Sequence, residues 1–287
     1  MTKNDSPGRA TSRIDLHIHT SASDGTFDSG QAVAAAAESE IEVLGITDHD
    51  SVDGIAPALA AGRRLGVTVV PGVEINTDYG RTEAHILGYF IDPDSTELNR
   101  VLEDVRRLRV ERAREIVARL RGVGVHIEET RVAELAAGGS VGRPHVARAL
   151  VEAGHVKSEA EAFARFIGRG RAAYVPRYRL TPEDATRAIR AAGGVPVLAH
   201  PAKVGDDMLV TGLVAQGLEG LEAFHSDHSA ARSRHYVALA RQLGILVTGG
   251  TDSHGPRSDR PIALGAVAVP RWVWEELSAY ARKNDGN

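Results

Sequence analysis

The sequence predicts an α/β barrel whose chemistry is gathered at one end, and three observations lead there. Short runs rich in Val, Ile and Leu alternate with Ala-rich amphipathic stretches of helical length, a rhythm that favours a largely parallel sheet over a bundle or a sandwich. Nearly every apolar run ends in a His, Asp or Glu. The chain, at 287 residues, has room for one barrel-sized domain and a full core.

Taken in order, residues 1–13 are polar with Gly and Pro and are expected to form a flexible tail. Strands are expected at 14–17, 43–47, 67–73, 84–89, 195–199, 220–224, 245–248 and 266–269, with helices between them at 29–40, 52–65, 182–192 and 230–243. About eight strands with intervening helices is what a (β/α) barrel requires. The rhythm breaks between residues 96 and 180, which hold no convincing buried strand. Residues 99–121 place Leu102, Val105, Leu108, Ile116, Val117 and Leu120 among charges of both signs at helical spacing, as in a solvated, ion-paired helix. Shorter helices are expected at 129–137, 144–153 and 158–167. This divides the chain into a discontinuous barrel, 14–95 and 181–287, and a small helical insertion, 96–180. Trp272 and Trp274 fall in a C-terminal helix expected on the barrel exterior.

Composition removes several classes. The net charge of −4 gives no basic field of the kind that marks a general nucleic-acid binder, while a small anionic substrate held by local cations fits. With no cysteine there is no disulfide framework, thiolate metal site or cysteine nucleophile. No apolar run reaches the length of a membrane span and no apolar signal core opens the chain; with the missing cysteines, this points to a soluble cytoplasmic protein. A Gly-x-Ser-x-Gly elbow and a Walker-type loop are both absent.

Position carries the functional argument. The first strand runs into His17 and His19, then Asp24; the second into Asp48 and His49; the third into Glu74. His85 opens a strand that can run antiparallel. Later runs end at His200, at His225, and at Asp252 with His254. In a barrel of parallel strands these ends share one face, where such enzymes keep their sites. His17 and His19 point to the same side of an extended chain, as do Asp252 and His254. A single His at a strand end is an ordinary hydrogen-bonded residue, but this many ionisable groups buried together without a cation would be costly. A mixed N/O set suits Mn, Zn or Fe better than Mg or Ca.

The ordered series His17-Ile18-His19-Thr20-Ser21-Ala22-Ser23-Asp24-Gly25, Thr47-Asp48-His49-Asp50, Pro71-Gly72-Val73-Glu74, Ala199-His200-Pro201 and Thr251-Asp252-Ser253-His254 resembles the motifs of PHP (polymerase and histidinol phosphatase) domains. The resemblance covers roughly residues 14–85 and 181–269. It implies a distorted (β/α)7 barrel with two to three divalent metals in its mouth. His17, His19, Glu74 and Asp252 would hold one, with Glu74 bridging to a second held by His85 and His200; Asp24, His49 and His254 would hold a third. Many relatives place a His where this chain has Asp24, which bears on the metal preference of the third site. Ser140-Val141-Gly142-Arg143-Pro144-His145 is similar to a stretch in a PHP subfamily that dephosphorylates nucleotides, including 3′,5′-bisphosphates, and in some members trims short RNA from its 5′ end.

These resemblances imply a metal-dependent phosphomonoesterase, with Glu74, Asp252 and His200 at the catalytic centre. Arg143, whose planar fork suits a phosphate, and His145 would contact substrate from the insertion. From their positions alone, His225 and His228 would orient a phosphate or donate a proton, or equally support a neighbour or cap a helix, and Lys203 would offer a point charge or stand as a solvated loop lysine. The competing readings are a histidinol-phosphate phosphatase, a metal-dependent amidohydrolase and a non-catalytic PHP binding module. No protein partner is evident.

Overall fold

The computed structural model describes residues 13–79, 82–136, 140–176 and 180–284; nearly all of the expected N-terminal tail lies outside them. Seven strands form one sheet in sequence order: β1 Ile14–Ile18, β2 Val43–Ile46, β3 Thr68–Tyr79, β4 Thr82–Tyr89, β5 Val195–Leu198, β6 Gly220–His225 and β7 Leu246–Gly250. Pairing is parallel except on both sides of β4, which runs antiparallel to β3 and β5. That reversal brings His85, near the start of β4, to the same rim as the ends of its neighbours. The sheet closes on itself through a parallel bridge between Ile18 and Ser253, with Asp252 N–H donating to His17 O at 2.8 Å and His19 N–H to Ser253 O at 2.9 Å. Only glycine permits this closure, because a Cβ at Gly250 would lie 2.4 Å from the His17 nitrogen.

β2 and β5 read as continuous apolar runs because both faces are covered, and β1, buried throughout, interrupts its apolar run with Asp15 and His17. Helices α1 Ser29–Glu38 and α2 Ile55–Leu65 pack outside β1 to β3. Helix α1 starts where Asp28 accepts from Gln31 N–H and Gln31 answers at the Asp28 N–H, a reciprocal cap.

Between β4 and β5 lie α3 Thr96–Gly122, α4 Glu129–Leu135, α5 Arg143–Glu152, α6 Glu159–Ala162 with a π-helical turn at Phe163–Ile167, and then α7 Pro182–Ala191. Helix α3 belongs to two cores. Leu98 and Leu102 pack into the barrel cluster, whereas Ile116, Val117 and Leu120 join Val146, Leu150 and Ile167 in a separate one. The C-terminal part of the chain adds α8 Pro201–Val204, α9 Asp207–Ala215, α10 Ala230–Leu243 and α11 Arg271–Asn284; α8 and α9 were not anticipated from sequence. Trp272 and Trp274 sit on α11, against Phe224 and Phe90.

Residues 266–269 do not form the expected eighth strand. Since β7 already pairs with β1, no sheet edge is left for them. The turn before them is held instead by Gly265 N–H donating to the buried Asp15 carboxylate at 2.9 Å.

Candidate active site

The ends of the parallel strands, and the residues just after them, carry His17, His19, His49, Glu74, His200, His225, Asp252 and His254 to one rim, where His85 of β4 joins them. Asp50, His200 and Asp252 have positive φ values of 49°, 29° and 58°, a costly conformation for side-chain-bearing residues that is typical of functional sites.

The closest packing is around Glu74. Nε2 of His17 and Nε2 of His19 are 3.2 Å apart. Glu74 Oε2 lies 3.4 and 3.2 Å from them, and Asp252 Oδ1 lies 3.5 and 3.1 Å from them. Ligands bound at about 2.0–2.2 Å around a tetrahedral cation stand ~3.3–3.6 Å apart, so these separations are close to the edges of a coordination polyhedron. The other Glu74 oxygen, Oε1, lies 2.8 Å from His85 Nδ1 and 3.0 Å from His200 Nε2. A third grouping joins His19, Asp24, His49 and His254; there His254 Nε2 stands 3.3 Å from Asp24 Oδ1. His49 is shared, because its Nδ1 lies 3.0 Å from Glu74 Oε2.

Electrostatics call for cations. Burial would raise the carboxyls of Glu74, Asp252 and Asp24, yet the surrounding histidines hold all three well below the usual carboxylate range. Burial disfavours a charged His19, but its hydrogen bonds to Asp252 and Glu74 outweigh this and push it up to about 10. Burial keeps His49 well below its ordinary value and brings His200 down to about 4, leaving both as neutral donors. His19 Nδ1, His85 Nε2 and His200 Nδ1 are buried without a hydrogen-bond partner. A donor set of this composition and spacing, with orphaned ring nitrogens, fits divalent metal ions.

Residues not singled out in the sequence orient this set. Glu222, fully buried on β6, accepts from His17 Nδ1–H at 2.9 Å and from the His200 backbone N–H at 2.7 Å. The first bond leaves the lone pair of His17 on Nε2, facing Glu74 and Asp252. The only clue in the sequence is one carboxylate inside an otherwise apolar run. Asp50 accepts from Asn76 N–H and Nδ2–H, both at 3.0 Å, and Asn76 Nδ2 reaches His49 Nδ1 at 3.1 Å. Arg109, from α3, forms an ion pair with this buried Asp50. Asp48, by contrast, does not join the cluster. Its carboxylate is consumed by Thr20 N–H, Thr20 Oγ1 and Ser23 Oγ, at 2.7, 2.7 and 2.6 Å, which shapes the turn leading to Asp24.

The insertion grips that same turn: Ser140 N–H donates to Ala22 O at 3.2 Å and Arg148 Nη2 to Asp24 O at 3.0 Å. Beneath it is a cavity of about 220 Å³ lined by Asp24, Asp252, His254, Pro144, Arg148 and Arg260, among others. Arg143 does not line it. Its guanidinium pairs with Glu83 at 3.3 Å and lies over the Phe163 ring. His145 is buried, and its Nδ1 accepts from Gly142 N–H at 3.0 Å, capping α5; burial lowers it to about 4, against the opposing pull of Asp24.

The remaining expected contacts divide. Lys203 Nζ stands 3.3 Å from Asp252 Oδ2. His225 Nδ1 accepts from Asp227 N–H at 3.0 Å, so its proton is on Nε2, which points at Asp252 Oδ2 at 3.4 Å. His228 turns away: its Nδ1–H donates to Ala223 O at 2.9 Å, and burial lowers its affinity for a second proton. Elsewhere, His155 donates to His126 O and His235 pairs with Asp207, both away from the rim.

The PHP domain family model matches residues 15–167. The chain is 32% identical over 277 residues to the 3′,5′-nucleoside bisphosphate phosphatase of Chromobacterium violaceum, covering 93% of this chain and 96% of that one. It is 35% identical over 274 residues to the 5′-3′ exoribonuclease Rnm of Escherichia coli, covering 91% and 94%. Its fold overlays, with a TM-score of 0.85 and 31% identity over 93% of this chain and 96% of the other, on a Chromobacterium violaceum protein solved as an amidohydrolase with bound sulfate and no metal. With likeness running through barrel and insertion alike, the chain belongs to the PHP domain family and is a metal-dependent phosphoesterase.

Proposed function

We propose that this enzyme removes phosphate from nucleotides, a nucleoside monophosphate or 3′,5′-bisphosphate, using two to three divalent ions of the Mn, Zn or Fe type. The observation that carries the reading is the set of separations among His17, His19, Glu74 and Asp252, between 3.1 and 3.5 Å. These four residues hold one ion; Glu74, His85 and His200 hold a second, and Asp24, His49 and His254 a third. Bound there, the ions supply an activated water and neutralise charge on the phosphoryl group. The nucleotide preference is supported by the names of the Chromobacterium and Escherichia relatives.

The chain's own groups complete the reaction. Hydrolysis breaks a P–O ester bond; the departing oxygen takes its proton from solvent water, while His225 Nε2–H, beside Asp252, donates a hydrogen bond to that oxygen. Arg148, which lines the cavity while paired with Glu159, and Lys203, beside Asp252, are the cations placed to hold phosphoryl oxygens. Arg143 stands further out, held by Glu83, and would reach a phosphate only by leaving that carboxylate. The insertion covers the mouth and limits water around the scissile bond. Trimming of short RNA from its 5′ end is a second reading, favoured by the exoribonuclease relative. The test is phosphate release from AMP, a 3′,5′-bisphosphate and histidinol phosphate, with metal-stripped protein before and after Mn addition. A preference for histidinol phosphate, or full activity after stripping, would refute it.

A further inference from the structure

Next to the metal-ligand cavity lies a larger one, of about 1000 Å³, running between α10 and residues 260–272. The two share Ser226, Arg260 and Ile262, so they meet at the rim. The larger cavity starts at His225, Ser226 and His228 and ends among Phe224, Val237, Val267, Ala268 and Trp272.

We propose that this groove receives the nucleoside of the substrate, with the sugar at the rim and the base in the apolar far end. The inference rests on the phosphatase reading above. Its first support is direction. His225 faces Asp252 and also lines the groove, so an ester oxygen beside its Nε2 has its phosphorus among the metal ligands and its carbon side in the groove. The second is chemistry that changes along the groove. At the rim, Ser226 Oγ and His228 Nε2 are buried with no hydrogen-bond partner. Because His228 Nδ1 is committed to Ala223 O, Nε2 is a bare acceptor, matched to a sugar hydroxyl. At the far end Trp272 is held edge-to-face with Phe224, ring centres 6.3 Å apart, with Arg241 over it at 4.8 Å. A fixed aromatic surface in an apolar slot suits any base, since every base has a π-face. The volume is at the upper end of the range for small-molecule sites, about 300–1,000 Å³.

Two variants narrow the groove without touching the metal ligands: Ser233→Phe and Ala268→Leu. The proposal expects kcat/KM for AMP to fall about tenfold or more, mainly through KM, as when a base loses its aromatic stack. Ribose 5-phosphate and glycerol phosphate, which have no base, should keep their values within about twofold in the same preparations. A direct readout uses Trp274→Phe, which leaves Trp272 as the only tryptophan. Adenosine should quench its fluorescence saturably in metal-stripped protein, and Ser233→Phe in that background should abolish the quenching. Equal losses for AMP and ribose 5-phosphate, or no loss for either with no quenching, would overturn the assignment while leaving the phosphatase reading intact. Wild-type protein that releases phosphate from none of these esters would instead overturn that reading, and this inference with it.

Discussion

Glu222→Gln isolates the part played by a residue that touches no substrate. In the native site one carboxylate oxygen accepts from His17 Nδ1–H and the other from the His200 backbone N–H. Burial would raise the Glu222 carboxyl, but His17 and His225 bring it down to about 2, so it serves as a double acceptor throughout the neutral range. Glutamine has the same shape but only one acceptor. Its NH2 must then confront either the His200 N–H or His17 Nδ1. In the second case His17 is pushed toward the tautomer with its proton on Nε2, which cannot bind a metal. One buried donor left unsatisfied costs about 1–3 kcal/mol, or roughly 5- to 150-fold, and loss of a carboxylate behind a metal-binding His typically costs about 10- to 100-fold in affinity or activity. The assay is Mn affinity by competition with a chelating dye, with kcat at saturating metal and thermal unfolding of the metal-stripped protein in parallel. The expected result is metal affinity lowered about 10- to 100-fold with the fold retained. Wild-type affinity and wild-type kcat in a folded Glu222→Gln protein would refute the reasoning.

Asp252→Asn or Glu74→Gln should lower turnover by at least about two orders of magnitude, and a strong chelator should abolish it; near-normal rates in both folded variants would show that the cluster is not the catalytic centre. Arg148→Ala should reduce kcat/KM about 10- to 200-fold at saturating metal, with a smaller effect for Arg143→Ala, because both side chains pair with a carboxylate but only Arg148 lines the cavity at the rim; the reverse order would move the phosphate toward Arg143. Metal uptake should release protons. His19, raised to about 10 in the absence of metal, carries an extra proton at neutral pH, so below that value cation and proton compete and binding weakens about tenfold per pH unit for each proton displaced. Calorimetry at pH 7 in buffers of different ionisation enthalpy counts them, and zero release would contradict the assignment.

Most of the strands and helices, and the polar residues that gather at the rim, were legible in the chain before any fold was known. Strand ends, helix caps and ligating residues are local features: His17 and His19 stand two apart on and just past β1, where side-chain alternation gives them a common side, whereas Asp252, at φ 58°, leaves the extended conformation and its pairing with His254 is set by the turn. Buried parallel strands are apolar along their whole length, so a His or Asp at the end of such a run is conspicuous. Which distant groups meet depends on how the chain folds back. Glu222 bonds a residue 205 positions away, Arg109 of the insertion pairs with Asp50 of the barrel, and Arg148 reaches Asp24 across 124 positions. Such contacts leave no periodic pattern, because each depends on where the chain returns. The same limit holds at two further stretches. Residues 266–269 have the composition of a strand, but a ring already closed between β1 and β7 has no edge to pair them. Nor could the Gly142-Arg143-Pro144-His145 stretch show that Arg143 pairs with Glu83, that His145 caps α5, or that Arg148, further along the same helix, lines the cavity.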